Sequence, residues 1–189
     1  SCDVIELTGT STYNFNPSDV EPAVTIGRPL IIQGQGAAET KIQLLISGIL
    51  IEDPAYDPLT PWMAVEIRDL SISSPAILAI PTITNDGGLV TLERVLIHDN
   101  TTPGGGAVLN LKGNFWVKDS ILEDNRAVIG GAILNAPFTV QFNPTELLNL
   151  VAQAAIFTDD LDDGELTLGI EDVPGTNLPF LLVTDSLIQ

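Results

Sequence analysis

The chain has 189 residues, 44% of them hydrophobic, which is enough for one sizeable domain. Acidic residues outnumber basic ones 25 to 7, a formal charge of −18; that disfavours nucleic acid and anionic lipid, since both need a basic footprint. The same charge favours a solvated surface, cation binding or salty surroundings. The single cysteine, Cys2, rules out an internal disulfide, and no signal peptide or membrane span is read along the chain.

Taken in order, residues 3–15 read as a first strand and a turn, and residues 23–33 as a second coil with its corner at Gly27-Arg28-Pro29. Gly34-Gln35-Gly36-Ala37-Ala38 is glycine-rich, but no helical pattern follows, so it reads as a tight turn and not as a phosphate loop. Lys41 to Ile51 supplies two more strands, joined near Ser47-Gly48. Residues 52–62 carry three prolines and three acids, which excludes a central strand. A projecting loop is expected there, bearing Tyr56 and Trp62; these aromatics either offer a binding surface or fold back on the domain. Residues 64–72 resume the strand pattern, and residues 76–92 are expected to form strands around an Asn85-Asp86-Gly87-Gly88 turn.

From Leu89 to Asn135 the chain repeats with a period of 25 residues. Leu-Ile-His-Asp-Asn at 96–100 returns as Ile-Leu-Glu-Asp-Asn at 121–125, and Gly-Gly-Ala-Val-Leu-Asn at 105–110 returns as Gly-Gly-Ala-Ile-Leu-Asn at 130–135. Backward, Ile67, Leu70 and Ile72 lie one period before Leu92, Val95 and Ile97; forward, Phe115 and Val117 map onto Val140 and Phe142. A fixed period of this size marks a repeat architecture. Each unit alternates apolar and polar residues between Gly, Asn and Asp corners, and cannot bury its apolar face alone. Units must therefore stack, with equivalent strands pairing in parallel about 4.8 Å apart. The prediction is an all-β, parallel β-solenoid of about 25 residues per coil, and about seven coils in all. Residues 1–189 read as one domain. Asn100 and Asn125 should stack in register, and the glycine pairs at 105–106 and 130–131 suit corners.

These glycine and asparagine corners, with Gly-Gly-Ala-(Val/Ile), resemble the right-handed parallel β-helix of the pectin-lyase-like superfamily, closest to the repeats of polymorphic outer-membrane proteins. The run Asp3-Val4-Ile5-Glu6-Leu7-Thr8-Gly9, then Tyr13-Asn14-Phe15, then Pro29 to Gly36, is similar to the opening coils of secreted members. The resemblance covers roughly residues 3–142 and 165–189, lacks a Phe-x-x-Asn half-motif, and implies secretion or a cell-surface location. Its members range from adhesins to polysaccharide lyases, so the fold alone does not set the activity.

After Phe142 the register is lost. Asn143-Pro144-Thr145-Glu146 suits a helix start, and Leu147, Leu148, Val151, Ala154 and Ala155 follow at helical spacing. A helix is expected over 144–156, inserted in the solenoid and packed on an outward ridge formed by Leu96 and Ile121. The insertion, residues 143–165, ends in the acidic run Asp159, Asp160, Asp162, Asp163 and Glu165. Such an oxygen-rich set suits Ca²⁺, but its spacing is not that of an EF-hand loop, so the run reads first as a solvated acidic turn and second as a Ca²⁺ site. Finally, Leu182-Val183-Thr184-Asp185-Ser186-Leu187-Ile188 repeats the pattern of residues 116–122, and the solenoid ends leave open strand edges through which copies could associate.

Two classes of function are compatible with this pattern. An enzyme, a polysaccharide lyase or glycoside hydrolase, would use Asp99 and Asp124, one coil apart, with Lys118 nearby. Against that, an Asp beside a corner Asn is often a turn residue, and the only histidine, His98, reads as an exposed strand residue. A noncatalytic module for adhesion, glycan binding or structural presentation would instead use Trp116, outward if Phe115 and Val117 point in, with Tyr56 and Trp62. Its partners would be a carbohydrate or another surface protein. The noncatalytic reading is the one expected here.

Overall fold

The computed structural model describes residues 3–15, 24–55, 63–78, 80–102, 107–127, 132–135, 180–184 and 187–188. The chain winds into a three-sided parallel β-solenoid. The first coil consists of β1 (Asp3–Glu6), β2 (Ser11–Phe15) and β3 (Val24–Ile26). The second consists of β4 (Leu30–Gln33), β5 (Thr40–Leu44) and β6 (Ile49–Glu52). In the following coils strands run through corners: β7 (Ala64–Ser73), β8 (Ile83–His98), β9 (Thr101–Thr102), β10 (Val108–Lys118), β11 (Ile121–Glu123), β12 (Arg126–Ala127) and β13 (Ile133–Asn135). Two last strands, β14 (Phe180–Thr184) and β15 (Leu187–Ile188), add a further layer to two of the sides. Among the described residues no helix is long and apolar enough to cross a membrane.

Every pairing in this register is parallel. On the first side, Asp3 pairs with Leu30, Leu30 with Val65, Val65 with Val90, and Val90 with Phe115, which makes four complete turns. The steps from Val65 to Val90 and from Val90 to Phe115 each equal the sequence period, so that period is the length of a turn. The step from Leu30 to Val65 is longer, because it accommodates the acidic, proline-rich stretch after β6. The next partner of Phe115 is Leu181, and that of Val117 is Val183. The layer expected to follow on this side is thus supplied by β14; Val140 and Phe142, which the repeat spacing places there, lie outside the described residues. The match of residues 182–188 to 116–122 holds residue for residue, with Trp116 on Leu182 and Ile121 on Leu187.

The core follows from the alternation. Strand side chains point to opposite faces, so a parallel stack sorts into columns. Ile32, Ile67, Leu92 and Val117 form one inward column, and Ile42, Ile72, Ile97 and Leu122 another, all of them buried. Each such side chain contributes about 1.5–3 kcal/mol on burial. The third side is different: Ile51 is followed in its column by Asn85, Asn110 and Asn135. Asn85 Nδ2 donates to Asn110 Oδ1 at 2.8 Å, and Asn110 Nδ2 donates to Asn135 Oδ1 at 2.8 Å. Asn85 also closes its own corner, accepting from Gly88 N at 2.8 Å and donating to Gly88 O at 3.1 Å. These buried amides are tolerated because their polar atoms meet the next amide of the stack or the backbone of their own corner. The expected pair is present too: Asn100 Nδ2 donates to Asn125 Oδ1 at 2.9 Å.

Residues 85–88, read in the sequence as a turn between strands, lie within the continuous β8; Gly87, at φ 112°, takes up the bend as a local irregularity. Gly113, at φ 83°, does the same one coil on, where the pairing shifts between Lys112 and Asn114. Glycine is required there twice over, since a Cβ would stand 2.3 Å from the carbonyl oxygen of Gly88. The glycine-rich run 34–38 leads into a tight turn, closed where Glu39 N and Thr40 N both donate to Gly36 O, at 3.0 and 2.8 Å. The glycine pairs at 105–106 and 130–131 and the helix expected over 144–156 lie outside the described residues. Of the ridge assigned to that helix, Leu96 is half-buried and Ile121 is 40% exposed, and the two are paired in register.

Candidate binding face

The outer surface of the first side is a grid set by the register of its stacked strands. With Val65, Val90 and Phe115 buried beneath, the alternate residues Glu66, Thr91 and Trp116 stand in one outward column. Beside it runs a second column, Gln33, Arg68, Glu93 and Lys118. Trp116 is 44% exposed, whereas its sequence neighbours Phe115 and Val117 are fully buried, so the strand presents the indole outward as expected. Asn114 and Lys118, two residues to either side, share its face. Among the described residues the side chains of Thr91 and Asn114 make no hydrogen bond.

The charges on this side are paired along and between coils. Arg68 Nη1 is 2.7 Å from Glu66 Oε1, and Arg68 Nη2 donates to Gln33 Oε1 at 2.8 Å. Lys118 Nζ is 3.2 Å from Glu93 Oε1. Arg94 reaches back one coil to Asp69, with Nε and Nη2 donating to the two carboxylate oxygens at 2.6 and 2.9 Å, and it also contacts Glu93. The hydrogen bond from Arg94 holds the Asp69 carboxyl below its ordinary range. Those from Lys118 and then Arg94 do the same for Glu93. The Arg94 guanidinium is correspondingly pushed up, first by Asp69.

The corner next to this face is built on left-handed backbone. Asp69, Arg94 and Asp119 occupy equivalent positions in successive coils, with φ of 56°, 55° and 48°. Aspartate accepts that conformation readily; arginine does so rarely. Asp99 and Asp124 occupy a second corner of the same kind, at φ 54° and 51°. They flank the Asn100–Asn125 pair, and His98 Nδ1 lies 2.8 Å from Asp99 Oδ2. Lys118 sits at the other corner, immediately before Asp119, and its ion pair is with Glu93. Of the residues an enzyme reading would combine, Asp99 and Asp124 thus share one corner in successive coils, and Lys118 stands at the other.

Tyr56 and Trp62, and the acidic run Asp159, Asp160, Asp162, Asp163 and Glu165, lie outside the described residues. Among the described residues no three His, Cys, Asp or Glu side chains are gathered as a cation site would need. Two features escape a reading of the sequence: the Asn85–Asn110–Asn135 ladder and the left-handed corner of Asp69, Arg94 and Asp119. Both are signalled by the same repeat spacing. Comparison with protein-family models, curated proteins and solved structures gave no match.

Proposed function

We propose that this chain is a noncatalytic binding module, of the kind carried at cell surfaces, whose first side holds a carbohydrate against Trp116. The observation that carries the reading is the exposed indole of Trp116 in the middle of a stack of paired parallel strands. A large apolar ring turned to solvent in mid-strand costs hydration free energy that a ligand recovers. The flat face of a sugar ring fits an indole, and the neighbouring Thr91 hydroxyl and Asn114 amide can exchange hydrogen bonds with its hydroxyl groups. A solenoid suits this work because its backbone is paired on both sides, so the face is set before the ligand arrives and little ordering cost is added on binding.

A glycan array with the wild-type protein and Trp116→Ala tests the proposal. Binding to at least one glycan class, lost in the variant at unchanged thermal stability, is the expected result. Equal binding by both proteins would refute it. Turnover of any retained polysaccharide, read as new reducing ends or unsaturated product, would place the chain among enzymes instead.

A further inference from the structure

We infer that the Trp116 face selects uncharged over acidic polysaccharide, an inference that rests on the binding role proposed above. Its basis is the distribution of positive charge. The whole chain has seven basic residues. Three of them, Arg68, Arg94 and Lys118, lie on or beside this face, and all three already contact carboxylates of the same coil or the one before. Arg28 and Lys112 are paired elsewhere, with Asp3 at 3.1 Å and Asp86 at 2.7 Å. The remaining two, Lys41 in β5 and Arg126 in β12, belong to other strands.

A polyuronate brings one carboxylate per sugar and needs cations to receive them. Here it would have to displace Glu93, Asp69 or Glu66 from their partners, leaving those carboxylates uncompensated beside its own. It would also approach a molecule of net charge −18. An uncharged chain meets neither obstacle. Its rings stack on Trp116, and its hydroxyls can donate to the Glu66 and Glu93 carboxylates and bond with Thr91 and Asn114 without breaking an ion pair. Discrimination thus comes from repulsion of the wrong ligand as much as from attraction of the right one.

Affinity electrophoresis with the full chain tests this. The neutral probes are mixed-linkage β-glucan, xylan and galactomannan; the acidic ones are polygalacturonate and alginate, each run in EDTA and again with Ca²⁺. The inference predicts retention by at least one neutral polymer, at least tenfold tighter than by either acidic polymer. Trp116→Ala should weaken it at least tenfold, Trp116→Phe should restore part of it, and 1 M NaCl should leave it unchanged. Retention by an acidic polymer as tight as by the neutral ones and sensitive to Trp116→Ala, with or without Ca²⁺, overturns the charge inference and leaves the site in place. Retention by none of the polymers, or retention indifferent to Trp116→Ala, overturns the binding face itself.

Discussion

Arg94 is the residue where the demands on a single position collide. The corner needs a left-handed backbone at φ 55°, for which Gly, Asn or Asp would serve, and the surface column needs a cation for Asp69 and Glu93. Arginine meets the second demand at the expense of the first, a strain of about 1–2 kcal/mol. Removing the side chain with and without relieving the backbone separates the two. Arg94→Gly and Arg94→Ala lose the same ion pairs, so Gly should be the more stable by about 1 kcal/mol in urea denaturation. Equal stability would mean the corner is not strained. The same ion pairs set an acid limit. Asp69 and Glu93 titrate lower in the folded than in the unfolded chain, so their contribution is complete above the unfolded values near pH 4 and is lost as pH falls through the lower, folded ones. Unfolding midpoints measured between pH 7 and 2.5 should drop below about pH 4, and less steeply in Arg94→Gln. Asn110 is the other revealing residue, bonded at 2.8 Å to Asn85 on one side and to Asn135 on the other. Asn110→Ala removes both bonds of the stack at a fully buried position and should cost about 1–3 kcal/mol, at about 0.5–1.5 kcal/mol for each hydrogen bond lost. A cost below about 0.5 kcal/mol, within the ordinary range for surface positions, would remove the ladder from the account.

At the scale of the element, the solenoid depends on where strands bend as much as on where they run. β8 and β10 cross from one side to the next without ending; β8 bends at Gly87 and again at Arg94, and β10 at Gly113. Gly113→Ala would force a left-handed alanine against the Gly88 carbonyl and should destabilise the protein by about 3 kcal/mol, read as a lowered urea midpoint with loss of sheet signal. The strands themselves are legible in the sequence because the apolar residues alternate and recur at a fixed period. Ile67, Leu92 and Val117 fall in one column by counting alone, and the register confirms it. The bend at 85–88 reads as a turn because Asn-Asp-Gly-Gly carries every local signal of one. What local signals cannot show is that Asn85 faces inward onto another asparagine. The outward indole of Trp116 is legible too, since Phe115 and Val117 fix the face. The ion-paired column is not, because residues as far apart in sequence as Gln33 and Arg68 meet only once the coils are stacked and the insertion after β6 is known.

For the whole molecule, one dimension matters: each coil contacts the coil before and the coil after, and stability accumulates along the stack. Deleting residues 90–114 removes one turn and joins Leu89 to Phe115 in unchanged alternation. That variant should fold cooperatively with a smaller denaturant dependence, whereas deleting 90–113 inverts every following side chain and should not fold. The proposed binding face depends on the same stacking, for Thr91 and Trp116 are neighbours only because two turns lie one above the other. The most direct measurement is therefore of vertical neighbours themselves, by nuclear Overhauser contacts among the asparagine side-chain amides in labelled protein. Cross-peaks joining Asn85 to Asn110, and Asn110 to Asn135, are predicted. Assigned amides with no contact from one coil to the next would contradict the coiled stack and the surface built on it.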